Sequence, residues 1–135
     1  MADFAIRKLA DLPSIVDGDV DWRPLQHFFG LTAFGVNVYR ATKAGAELVG
    51  EHDELAGGHE ELYVILAGKV RFTVGTHEEL CDDGTLIAVR DPALRRSAVA
   101  ASADAAVLAI GNVPAGKFAS TWDARHFAGV PTADD

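Results

Sequence analysis

Apolar and polar residues alternate through the middle of this chain with the period of strands rather than helices. In Leu31-Thr32-Ala33-Phe34-Gly35-Val36-Asn37-Val38-Tyr39-Arg40, Phe34, Val36 and Val38 share one face, while Asn37 and Tyr39 share the other. Gly45 breaks that run, and Ala46-Glu47-Leu48-Val49 begins a second strand leading toward His52. Gly57-Gly58 marks a loop, residues 62–66 form an apolar strand, and Ala67-Gly68-Lys69 is a tight turn. Val70, Phe72 and Val74 alternate in the next strand, and Gly75-Thr76 turns again. Asp82-Asp83-Gly84 is a strong turn signal before a strand over residues 85–89, and Asp91-Pro92 forces a bend. Residues 95–100 and 105–110 read as an alanine-rich strand pair around Ala101-Ser102-Ala103-Asp104.

The ends read differently. Residues 1–30 look like an irregular arm punctuated by Pro13, Asp17-Gly18-Asp19 and Pro24, and pinned to the body by Trp22 and Phe28-Phe29. Beyond Gly111 the pattern is mixed. Ser120 and Thr121 are candidate caps for a short C-terminal helix, Trp122 is a candidate anchor, and residues 131–135 form a tail. Seven or eight short strands with almost no helical periodicity predict an all-β sandwich or small barrel. No internal repeat is present.

Composition narrows the classes. A chain of 135 residues suits one domain, with residues 1–30 as an arm, 31–112 as the barrel and 113–135 as a C-terminal segment. It is 49% apolar, which excludes a disordered chain. A net charge of -8 argues against nucleic acid and anionic lipid, both of which call for basic surfaces. Cys81 is the single cysteine, so neither an intrachain disulfide nor a cysteine-rich zinc site is available, and with no basic neighbour it reads as an inert thiol. No run approaches the roughly 18 apolar residues of a membrane span, and the N-terminus lacks the features of a secretion signal. The expectation is a soluble cytoplasmic protein without nucleic-acid or membrane partners.

The chemistry concentrates in residues 51–61, where His52 and His59 sit among five carboxylates: Glu51, Asp53, Glu54, Glu60 and Glu61. Imidazole and carboxylate at the mouth of a sheet suit a metal or a polar small molecule. This acidic, histidine-bearing loop, followed by Glu61, an apolar strand, the Gly68 turn and an alternating strand, resembles the first motif of the cupins. Gly84-Thr85-Leu86-Ile87-Ala88-Val89 resembles the start of their second motif, and the likeness spans about residues 34–112. The resemblance implies a double-stranded β-helix (a jelly-roll barrel), commonly a homodimer, with its site inside.

The ligand positions depart from that family. Counted back from Glu61 without an insertion, the two histidine places of the first motif fall on Leu55 and Gly57, or on Glu54 and Ala56. A loop longer by two or three residues puts His52 and Glu54 there instead. In the second motif the proline, glycine and histidine places fall on Arg90, Pro92 and Arg95, and a guanidinium has no lone pair for a cation. The standard set of three histidines and one glutamate is therefore absent.

Three readings follow. In the first, the barrel binds a small anionic organic ligand without requiring a metal; Arg95 faces inward to supply charge, Arg96 points outward, and Tyr39, His52, Glu61 and Tyr63 supply further contacts. In the second, His52, Glu54, His59 and Glu61 are candidate ligands for zinc, iron, manganese or nickel in an oxygenase, isomerase or lyase. In the third, the barrel is a filled structural or dimerisation module, against which the small alanine side chains argue. Phe72 is expected in the core, and His27, His77 and His126 outside any site.

Overall fold

The structure is a computed structural model that describes residues 3–116 and 118–134. The alternating segments form strands as their pattern predicts: β3 (Gly35–Ala41), β4 (Glu47–His52), β5 (Glu60–Ala67), β6 (Lys69–Val74), β8 (Leu86–Val89), β9 (Arg96–Ala100) and β10 (Ala106–Asn112). Three further strands bring the described total to ten: β1 (Ile15–Asp17), β2 (Val20–Pro24) and β7 (His77–Asp82). One antiparallel sheet has the order β1-β2-β3-β10-β5-β8 and the other β4-β9-β6-β7. Two facing sheets of this kind make a jelly-roll barrel.

The core lies between the sheets. Ile65, Val70, Phe72, Val89 and Val107 fill it, and the alanine-rich pair contributes Ala98, Ala100, Ala105 and Ala109. Tyr63 on β5 meets Phe72 on β6 edge to face, with ring centroids 4.9 Å apart, so this contact ties one sheet to the other. Cys81 is buried, and burial, with Glu79 and Asp82 beside it, pushes its thiol pKa up, which suits an unreactive group.

The N-terminal arm is more regular than its punctuation predicts. Asp17-Gly18-Asp19 is a hairpin turn rather than a break: Asp17 pairs with Val20, and Gly18 takes φ +58°. β2 then pairs along β3, setting Trp22 opposite Tyr39. Helix α1 (Leu25–Phe29) follows, and its end is secured by Gln26, whose side-chain oxygen accepts from the Val36 N–H at 2.9 Å. At the other end, the expected helix is a short 3-10 turn, Ala124–Phe127, capped by Asp123 instead of Ser120 or Thr121. Trp122 is exposed there and meets only the His126 ring among the aromatic pairs. No helix among the described residues is long and apolar enough to cross a membrane.

Gly68 closes the β5–β6 turn at φ +69°, and a Cβ there would collide with Ser102 Oγ and lie 2.9 Å from Ala105 Cα. A Gly68→Ala variant should therefore lose about 2 kcal/mol in urea denaturation. A loss within about 0.5 kcal/mol of zero, the range of ordinary surface changes, would contradict this view of the turn.

Candidate functional site

The candidate site sits where β4 ends and β5 begins, at one end of the barrel. β4 delivers His52, and the loop after it turns Glu54 back toward the interior. Glu54 N–H donates to the Pro92 carbonyl at 2.8 Å and Gly58 N–H to the Glu54 carbonyl at 2.6 Å, while Asp53 Oδ1 accepts from Leu55 N–H. With the loop held in this way, His52, Glu54 and Glu61 converge, with one donor atom from each within 4.8 Å of the others. His59 stands outside this group of three; its Nδ1 is 3.3 Å from Glu54 Oε2.

His52 is oriented by its own strand. Its Nδ1 lies 2.8 Å from the Gly50 carbonyl oxygen, which can only accept, so Nδ1 carries a hydrogen and donates it. Nε2 then points at Glu54 Oε1, 2.9 Å away, with Glu61 Oε1 at 3.9 Å. A lone pair facing a carboxylate is unfavourable, so a positive species belongs between them: a proton on Nε2 or a metal ion.

Glu61 is the most constrained member. Its Oε1 accepts from the Tyr63 hydroxyl at 2.6 Å and from Arg96 Nη1 at 3.1 Å. Burial pushes the Glu61 carboxyl pKa above its ordinary value, as does nearby Glu54; the Tyr63 hydrogen bond, Arg96 and His52 pull the other way. The Tyr63 hydroxyl is itself held well above the ordinary tyrosine range, first by burial and then by its bond to Glu61. Tyr39 is raised too, by burial and by the charges of Glu61 and Glu54, so it faces the same group.

The two arginines exchange the places expected for them. Arg96, Ala98 and Ala100 share the inward face of β9, and Arg96 is 0% exposed opposite His52 in register. Its Nη2 also donates to the Asp91 carbonyl at 3.2 Å. Arg95 precedes the strand with its side chain 55% exposed, engaged by Glu51 at 3.3 Å and Asp53 at 3.6 Å. The turn at Asp91-Pro92-Ala93-Leu94, held by Asp91 Oδ1 and the Ala93 N–H, sets the strand parity one residue away from the motif count. Arg95 therefore cannot supply charge inside the barrel. Arg90 also points away, its guanidinium holding Asp134 through two bonds of 2.8 Å. Sequence reasoning set Arg96 aside; the signal that could have found it is the shared parity with Ala98 and Ala100, the small residues that make room for a guanidinium.

A cavity of about 520 Å³ opens beside the group, with Asn37, Tyr39, Tyr63, His52, Glu54 and Glu61 on its wall. Ala109 and Gly111 line it as well, and a Cβ on Gly111 would lie 3.0 Å from Glu61 Cγ, so the glycine leaves space for that side chain. The barrel is thus open, unlike a filled structural module. Phe72 is core, and His77 and His126 lie outside the site, as expected.

The residues present fit a divalent ion. Donors around one ion bound by imidazole and carboxylate lie within about 4 Å of one another, close to the observed grouping. Charge also balances: relative to three histidines and one glutamate, Arg96 adds a positive charge and Glu54 a negative one, leaving the total unchanged.

No protein-family model matches the sequence, and no curated protein matches it. Solved structures do. A cupin protein from Bacteroides fragilis is 21% identical, with a TM-score of 0.67 over 90% of this chain and 93% of that one. KdgF from a Halomonas species is 12% identical, with a TM-score of 0.66 over 80% and 92%. A protein described as a sugar phosphate isomerase from the cupin superfamily, from Silicibacter pomeroyi, is 18% identical, with a TM-score of 0.64 over 80% and 75%. The chain has the cupin fold, a double-stranded β-helix.

Removing one side of the Glu61–Arg96 pair leaves a buried charge uncompensated. Arg96→Leu should cost about 3–5 kcal/mol of stability, whereas Arg95→Ala should cost less than about 1 kcal/mol. Chemical denaturation of both variants checks this; the opposite ranking would return Arg95 to the interior.

Proposed function

We propose that this chain is a metal-dependent cupin enzyme in which His52 Nε2, Glu54 and Glu61 hold one divalent cation, with the adjoining cavity receiving a small hydroxylated organic substrate. The observation that carries this reading is the His52 ring: its Nδ1 hydrogen is committed to Gly50, and its Nε2 faces two carboxylates. His52, Glu54 and Glu61 would hold such an ion, which would supply Lewis-acid polarisation of a substrate oxygen. Asn37, Gln26 and Tyr39 on the cavity wall can bind hydroxyl groups. Isomerase chemistry is supported by the likeness to structures described as sugar phosphate isomerases. Neither cavity beside the group has a lysine or arginine on its wall among the described residues, so a phosphate finds no basic side chain there.

A second reading has its own support. Glu61 Oε1 already accepts two hydrogen bonds, which suits a metal-free pocket where a proton bridges His52 and Glu54 and the barrel binds its ligand by polar contacts.

Plasma mass spectrometry on protein purified without chelator or affinity tag separates the two. About one metal per chain is expected, lost in His52→Ala and Glu54→Gln and retained in His59→Ala. A metal-free protein that stays folded, and takes up no zinc, iron, manganese or nickel on titration, would replace the first reading by the second.

A further inference from the structure

A second cavity, of about 590 Å³, adjoins the first, and Tyr39, Val49 and His52 line both. It lies between the paired strands β2 and β3 of one sheet and β4, an edge strand of the other. Its aromatic wall is Trp22 stacked on Tyr39, with the ring planes 14° apart and centroids 6.5 Å apart. The two residues are register partners, and Trp22 is fixed further by its indole N–H, which donates to Asn37 Oδ1 at 2.9 Å. A fixed aromatic wall loses little freedom when a ligand arrives, which favours binding.

Around this wall stand Asp17, Asp19 and Glu47. Asp17 and Asp19 are placed by the β1–β2 turn, and Glu47 opens β4 on the opposite side. The nearest countercharge is Lys43, 3.4 Å from Asp19, and both partners are at least half exposed, so water screens that pair heavily. The wall itself carries no lysine or arginine among the described residues. The faces of Trp and Tyr rings are electronegative, and carboxylates beside them add to the same field.

We propose that this second cavity is a subsite for an organic ammonium group, held by cation–π contact with Trp22 and Tyr39 and by the carboxylates of Asp17, Asp19 and Glu47. The shared His52 and Tyr39 make the cleft continuous, so a ligand seated here reaches the His52–Glu54–Glu61 group with its other end. Of the three proposed ligands only His52 borders this cavity, and neither Glu54 nor Glu61 lines it, so the subsite does not depend on that group holding a metal.

Isothermal titration with choline and n-butylammonium, against the neutral choline isostere 3,3-dimethylbutan-1-ol, tests the proposal on protein with and without added metal. At least one of the two cations should bind saturably and about tenfold more tightly than the neutral isostere. That preference should vanish in Trp22→Ala, weaken several-fold in Asp19→Asn, and survive in Trp22→Phe, with metal content unchanged in all three. Trp22→Phe and Asp19→Asn keep the test decisive even where Trp22→Ala fails to fold. Equal affinity for cation and isostere, no binding of either cation, or indifference to Asp19→Asn would each overturn it. Loss of metal binding with the cation preference intact would instead count against the metal reading alone.

Discussion

The ion pair between Glu61 and Arg96 is the constraint on which the rest of this structure turns. Glu61 belongs to β5 in the six-stranded sheet and Arg96 to β9 in the four-stranded one, so their 3.1 Å contact crosses the barrel. Burying either charge alone would be costly, and a guanidinium removed wholly from water needs its partner. The Tyr63 hydroxyl donates to Glu61 and the Asp91 carbonyl accepts from Arg96 Nη2, while Arg96 Nε is buried without a hydrogen-bond partner. The same Tyr63 ring leans on Phe72 of the opposite sheet, so the polar pair and the apolar core are joined through one side chain. Ala98 and Ala100, which follow Arg96 on the inward face of β9, are small where a larger residue would fill the interior.

This pair also sets the electrostatics of the cleft. Arg96 is engaged by Glu61 and lies on neither cavity wall, leaving Glu54, Asp17, Asp19 and Glu47 as the charges the walls present. An anionic ligand would meet those carboxylates without a lysine or arginine on either wall among the described residues, because Arg95 lies outside. The metal reading and the ammonium reading rest on the same imbalance, one at each end of the cleft. They differ in geometry: imidazole and carboxylate converge on a point at His52, whereas the second cavity is walled by the Trp22 and Tyr39 rings, 6.5 Å apart.

Much of the fold was legible in alternation and turn residues. Apart from β7, the strands from Gly35 to Asn112 follow from apolar patterning and the turn residues between them. β1 and β7 escaped because every residue of β1 and most of β7 is exposed, so neither has an apolar face to reveal its period. For the site, His52 and Glu54 were legible only as one of several registers, because loop length is decided by backbone bonds such as Glu54 N–H to Pro92 that leave no trace in residue type. The Arg95–Arg96 parity was illegible for a related reason. Two adjacent arginines are chemically identical, and a single residue in the preceding turn decides which of them is buried.

Tyr39 and His52 draw the two halves of the cleft into one. His52 is a strand residue whose ring is tied to its own backbone at Gly50, and Tyr39 is braced by its register partner Trp22 on the neighbouring strand. Neither is carried on the Asp53–His59 loop, so the wall common to both cavities is as stiff as the sheets that carry it. At the junction of the two cavities the wall is therefore carried by sheet residues, whereas Glu54 and His59 are carried by the loop between β4 and β5, so positional accuracy is greatest where the two cavities meet.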